Sequence, residues 1–266
     1  MGLRSECDAR VQSEALDSLA RGKVAGPAES RSVPGGLEIL RWVFWSPETT
    51  DPREWRSARN GAAKIPDSAI PASHRRRMSG LSKMAVQVAL EAAGDARPDF
   101  LVFCSRHGEL TRMQELLGNI VGGSELSPAG FSQSVHNASA GLYTIITQSN
   151  VPATSVAAGA GTFAYGWLEA ESFLASNAGE TVLLVSYEEE LPVVYQPYIE
   201  HVQRSFALAL LLRVAAKGGI TLQESRAGTE DLLPISPLFM AWALSTDSAL
   251  RLTAGGQGWE WQRLPA

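Results

Sequence analysis

Cysteine is nearly absent. Cys7 and Cys104 are the only two in 266 residues. Two distant cysteines exclude a disulfide scaffold and point to a reducing compartment. Cys104 lies in the apolar run DFLVFCS (99–105), where a buried structural thiol is expected. Histidine is scarce too. His74, His107, His136 and His201 stand far apart, with no H-x-x-x-H spacing, so no metal site is expected. No apolar run approaches the ~20 residues of a membrane helix. The start, MGLRSECDAR, has no apolar signal-peptide core. The expectation is a cytoplasmic protein without membrane insertion. Positive charge is in deficit, with 23 Lys and Arg against 28 Asp and Glu and a net charge of −5. That excludes a general grip on nucleic acid. The one basic run, HRRRM (His74 to Met78), reads as a solvated or salt-bridged helix start. Docking of an acidic partner is the sharper alternative.

What is present is a globular balance, 45% hydrophobic and 19% charged. Residues 1–36 are polar and end in SVPGG, and they read as a leader with room for a helix around 10–21. Residues 37–266 form the domain. LEILRWVFWS (37–46) has the apolar density of a strand. A proline-rich loop follows, with Trp55 as a packing anchor. SGLSKMAVQVALEAAG (79–94) has helical spacing and a glycine stop. DFLVFCS reads as a buried strand. LTRMQELLGNIVGG (110–123) is a second helix, with Met113, Leu116, Leu117, Ile120 and Val121 forming its apolar face. NASAGLYTIITQ (137–148) is a third, with Asn137 as N-cap. ATSVAA (153–158) is a strand, GTFAYGWLEAESFLAS (161–176) a helix and TVLLVS (181–186) a strand. SFALALLLRVA (205–215) and GITLQE (219–224) read as a hairpin turning at KGG. PLFMAWALS is a helix and WEWQRL (259–264) a final edge strand. This order predicts an α/β fold: a mostly parallel, five-stranded mixed sheet with helices on both faces.

The turn TSVAAGAGTFAYG (154–166) invites three readings: a cofactor loop, a disarmed active site or a tight turn. Gly159, Gly161 and Ala164 fit G-x-G-x-x-A between strand and helix. However, this strand is not the first of the fold, and no acidic residue stands ~20 positions on. Glu188 lies almost thirty residues past Gly159, in the run Glu188–Glu190, read as a solvated strand end. A dinucleotide site is the weakest of the readings, and no cofactor is expected. Ser134, His136 and Asn137 lie too close in sequence to converge as a triad. Thr162 and Ser134 remain as alternative nucleophiles for a stand-alone acyltransferase or hydrolase. His136 reads as a structural residue beside a helix cap.

SVHNASAGLYTI followed by VPATSVAAGAGTFAYGWLEA resembles the β-ketoacyl synthases of the thiolase fold. RRRMSGLSKMA and LVFCSRHGELTRMQELL fit the N-terminal half of the same family. The closer resemblance is to short chain-length-factor-like proteins encoded with aryl polyene (xanthomonadin-type) pigment clusters. It runs from about residue 36 to the C-terminus. It implies the N-terminal half of the fold, the C-terminal half with its two histidines and lysine being missing. A ketosynthase carries a cysteine at the strand-to-helix turn, where the helix N-terminus favours the thiolate. Ala160 falls at that position, so no catalytic residue is expected.

The resemblance further implies a heterodimer with a catalytic β-ketoacyl synthase, through which the acyl carrier protein is engaged. The strand 153–158, with Thr154, Ser155 and Val156, would pair across the dimer. Phe131, Ser134 and Val135 would line or end the partner's acyl tunnel, with His136 and Asn137 beside them at the tunnel or interface. Phe163 and Trp167 would fill the space that a substrate tunnel occupies, simple core packing being the alternative.

Overall fold

A computed structural model of the chain describes residues 33–57, 63–199 and 201–266. Cys7 and the helix expected around 10–21 lie outside the described residues. The elements in chain order are β1 (Leu37–Trp45), α1 (Pro52–Trp55), α2 (Ala72–Arg75), α3 (Gly80–Ala93), β2 (Phe100–Cys104), α4 (Leu110–Val121), α5 (Pro128–Ser132), α6 (Ala138–Thr147), β3 (Ala153–Val156), α7 (Thr162–Ser176), β4 (Val182–Glu188), β5 (Phe206–Val214), β6 (Ile220–Ser225), α8 (Ile235–Ala243), β7 (Ala249–Ala254) and β8 (Gln257–Arg263).

The strands form one sheet in the order β3-β2-β4-β5-β1-β6-β8-β7. It has eight strands rather than five. Only β2–β3 and β2–β4 pair in parallel, and every other pairing is antiparallel. The expectation of a mostly parallel sheet therefore holds only for the β3-β2-β4 end. There the chain crosses over through α4 to α6 and through α7, as parallel strands require.

The expected hairpin at KGG does not form. β1 lies between β5 and β6, pairing fully with β5 and touching β6 at Leu37–Ile220. Glycines open the gap that admits it. A Cβ on Gly219 would stand 2.4 Å from the carbonyl oxygen of Gly35, so only glycine lets these backbones meet. WEWQRL is not an edge strand either. β8 sits between β6 and β7, and β7 is the edge. The β7–β8 hairpin turns at Gly255 and Gly256, with φ of 66° and 75°, the geometry a two-residue turn demands.

Strand alternation sends successive side chains to opposite faces. Phe100, Val102 and Cys104 join a core with α7 and α8, whereas Leu101 and Phe103 join one with α3 and α6. Helices thus cover both faces, as expected. Trp55 is fully buried, with Arg204 stacked 4.2 Å above its ring. In the basic run, Arg75 pairs with Asp67 at 3.2 Å, and Arg76 and Arg77 are exposed. Among the described residues no helix is long and apolar enough to cross a membrane.

Candidate functional site

The turn after β3 is built by its own hydroxyl. Gly159 adopts φ +57°, a left-handed conformation that favours glycine. Thr162 Oγ1 donates to the Gly159 carbonyl at 2.7 Å and accepts from the Ala158 amide at 2.9 Å. Thr162 is buried, and its proton is committed to that carbonyl. Ala160 is half-buried at the apex and packs against the aromatic core. Phe163, the second residue of α7, is buried with its ring 5.1 Å from Phe239 and 6.2 Å from Trp261.

A cleft opens beside this turn, lined by Ala160, Thr162, Phe163, His107, Glu188 and His201. Its volume is about 50 Å³. One water occupies about 30 Å³ of liquid and a ligand pocket spans roughly 300–1,000 Å³. The cleft has no room for an acyl chain.

Its polar groups come from distant parts of the sequence. His107 and His201 stack with ring centroids 6.0 Å apart. Arg106 donates to the His201 ring at 3.1 Å, which requires an unprotonated nitrogen there. Burial pulls His107 down to about 4, with Arg106 and His201 adding to the shift. Burial and Arg106 also lower His201. Both imidazoles are therefore neutral at pH 7. Burial pushes the Glu188 carboxyl the other way, up to about 7, against the hydrogen bonds that favour its charge. Glu188 is not a solvated strand end: it shares a face of β4 with Val182, Leu184 and Ser186. Period-two alternation from that apolar run was the signal that pointed it inward. His107 and His201 were invisible as a pair, because only folding brings them together.

The other expected site residues lie on two surfaces. β3 is the edge strand opposite β7, with Thr154, Ser155 and Val156 half-buried and the outer rim of its backbone unpaired by the sheet. The segment before α6 carries the rest. Phe131 is 63% exposed and Val135 44%, Asn137 is exposed and Ser134 is buried. Ser134 Oγ donates to the Phe131 carbonyl at 2.8 Å, so its proton locks the turn. Asn137 occupies the N-cap position of α6, but its side chain makes no capping bond. Its backbone lies at φ −88° and ψ 13°, away from the extended conformation of a side-chain cap. His136 Nε2 donates to the Ser105 carbonyl at 2.7 Å, and the Ser105 amide donates to Val156 O at 3.2 Å. Ser105 thus joins the two surfaces.

The expected inward face of helix 110–123 is also corrected. Only Leu116 is buried, while Leu117, Ile120 and Val121 are exposed, Val121 by 90%. The apolar stripe of α4 is real but faces away from the sheet. Together with Phe131 and Val135 it leaves several large apolar side chains in water near one end of the fold, the composition of an interaction surface.

Cys104 offers no substitute nucleophile. It is fully buried, and burial pushes its thiol well above the ordinary range. A Cβ on Gly166 of α7 would meet its sulfur at 2.1 Å, so the thiol is wedged between strand and helix. No cluster of metal-ligating side chains occurs among the described residues.

A family profile described as beta-ketoacyl synthase, N-terminal domain, matches residues 42–262. No curated protein matches the chain. Among solved structures, the chain is similar to one from a ketosynthase in complex with its chain length factor from Xenorhabdus doucetiae. The identity is 29%, over 86% of this chain and 99% of that one, with a TM-score of 0.75. A structure of the ishigamide ketosynthase/chain length factor shares 12% identity over 86% and 99%, at TM-score 0.65. A beta-ketoacyl synthase from Burkholderia phymatum shares 13% over 73% and 65%, at TM-score 0.54. The last two likenesses speak for the fold alone, that of the N-terminal half of a thiolase-like ketosynthase.

Proposed function

Because the chain belongs to the beta-ketoacyl synthase N-terminal-domain family yet bears an alanine at its nucleophile turn, we propose that it is a non-catalytic, chain-length-factor-like subunit. It pairs with an active ketosynthase and shapes that enzyme's acyl tunnel. The observation that carries the reading is the turn itself. Strand, tight turn and helix N-terminus are kept, and Ala160 has no atom that can attack a thioester or hold an acyl chain. Thr162, Ser134 and Cys104 are each withdrawn from chemistry, the hydroxyls by carbonyl acceptors and the thiol by burial. The filled cleft leaves no acyl site beside the turn.

The partner then supplies the cysteine and carries out decarboxylative Claisen condensation on carrier-bound chains. The edge strand β3 pairs with its counterpart across the dimer, and exposed Phe131 and Val135 reach toward the partner's tunnel. The acyl carrier protein is engaged through the partner. The products are of the aryl polyene type, and the complex works in the cytoplasm. The 29% likeness to a chain of a ketosynthase–chain length factor complex supports this assignment.

Co-expression with a ketosynthase from the same genome tests it. The expected result is a stable heterodimer with condensing activity, while the isolated chain gains no acyl adduct by mass spectrometry. Ala160→Cys alone restores no condensation, since the cleft cannot admit the chain. A monomer that ignores the ketosynthase, or an acyl adduct on the isolated chain, rejects the proposal.

A further inference from the structure

Glu188 is a carboxylic acid at the inner end of a core strand, and the proposed role gives it no task. Its oxygens reach the loop after β2. Oε1 accepts from the Arg106 amide, and Oε2 accepts from Ser105 Oγ at 3.3 Å. Ser105 is fully buried and saturated with partners. Its Oγ also accepts from the Gly108 amide at 2.8 Å, its carbonyl accepts from His136 and its amide holds Val156. Gly108 sits at φ +56°, and a Cβ there would stand 2.8 Å from His136 Cδ2. The loop and the imidazole therefore fit closely, and neither shifts alone.

We propose that Glu188 is a positioning residue whose carboxylate, by clamping Ser105 and Arg106, sets the geometry of edge strand β3 and of segment 131–137 together. The inference rests on the heterodimer reading for its purpose, since both surfaces are those assigned to the partner. The ionised carboxylate accepts on both oxygens, whereas the acid turns one of them into a donor. Burial nonetheless holds the carboxyl above its ordinary range, so a solvated open loop ionises more readily and the clamp loosens as Glu188 loses its proton. The charged and titratable groups that face it come from several elements. Arg106, His107 and Cys104 come from β2 and its loop, Tyr187 from its own strand, His201 and Arg204 from the approach to β5, and Asp231 from the approach to α8. Arg204 is tied to Glu48 and to the Trp55 carbonyl. Burial lowers both imidazoles and holds the Glu188 carboxyl up to about 7, so the carboxyl titrates near neutrality.

Amide hydrogen exchange on the isolated full chain tests this clamp, with rates corrected for the intrinsic effect of pH. In the wild type, protection at 131–137 and 153–157 should fall roughly tenfold between pH 6 and pH 8. Glu188→Gln should flatten both profiles. His136→Ala should flatten only 131–137, because the Ser105–Val156 bond remains. With the partner present, wild-type affinity should follow the same pH course and the Gln variant should not. An unchanged profile in Glu188→Gln overturns the proposal. So does pH dependence at 131–137 that survives His136→Ala. Should the Gln variant unfold, a flat wild-type profile still overturns it. The exchange measurement needs no partner, so a missing heterodimer would reject the functional reading and leave the clamp to stand or fall separately.

Discussion

On one face of the sheet Trp55, Trp167, Trp242, Trp259 and Trp261 meet Phe163, Phe206 and Phe239. On the other, Ala85, Ala89, Ala92, Ala93, Ala140, Ala207 and Ala209 line the contact of α3 and α6 with the strands. The small residues let helix backbones approach the sheet closely. The large rings instead fill a wide gap beneath α7 and α8. Phe239 is their hub, with ring centroids 5.1 Å from Phe163 and Trp167, 5.7 Å from Trp261 and 5.8 Å from Trp242. The indole N–H groups of all five tryptophans lack a hydrogen-bond acceptor among the described residues, so shape and area hold this layer rather than polar pairing. The contrast bears on function. The face that carries the Ala160 turn is the one filled with aromatics, so under the proposed function the acyl chain lies outside this chain's own core.

The comparison breaks first at Phe239. Phe239→Ala should remove about 3–5 kcal/mol of stability, read from urea unfolding, because its neighbours are too bulky to collapse into the space. A loss below about 1 kcal/mol would show that the aromatic layer is loose. The alanine face should fail in the opposite sense. Ala89 is fully buried, and Ala89→Leu should cost about 1–3 kcal/mol by overpacking. Tolerance there would mean that the close helix approach is incidental.

Glu188 sharpens the contrast between apolar filling and a half-buried carboxyl on the same face. Its folded carboxyl is held up to about 7, above the ordinary 4.5. Between those values the folded chain keeps a proton that the unfolded chain has lost. Stability contributed by this group therefore falls as pH rises from about 4.5 to about 7, and then levels. Glu188→Gln should abolish that slope and raise stability at pH 8 on the order of 1–3 kcal/mol, measured by urea unfolding across pH. A wild type that is less stable at pH 8 than its own neutral variant is retaining a charge for something other than folding. A variant with the wild-type slope would locate the titration elsewhere.

Much of this was legible in advance because strand and helix periods report burial directly. The helices at 79–94, 110–123 and 161–176 and the strands at 99–105 and 181–186 appear within a few residues of their expected bounds. What failed was pairing, not element type. β5 and β6 are adjacent in sequence, and only the close approach of Gly35 and Gly219 reveals that β1 comes between them. The β7–β8 hairpin carries its own signal in Gly255–Gly256, although the flanking run ALRLTA has little apolar density. For the site, the assignment of Ala160 to the nucleophile position rests on one residue and stays part of the proposal. The histidine pair and the junction at Ser105 were not legible, since they join positions far apart in the sequence, His107 and His201 by 94 residues.

The smallest effect on the isolated chain tests the corrected face of α4. Its stripe has the periodicity of a buried helix face, yet Val121 is 90% exposed. If that stripe belongs to the chain's own core, Val121→Ser must destabilise the monomer. If it belongs to a partner, the substitution should change monomer stability by no more than about 0.5 kcal/mol. Heterodimer affinity should then fall several-fold, because an apolar contact worth roughly 1–2 kcal/mol is lost only on association. Urea unfolding of the chain alone and titration calorimetry with the ketosynthase separate the two. An amphipathic helix identifies that something covers it, and these two measurements identify whether the cover is the fold or the partner.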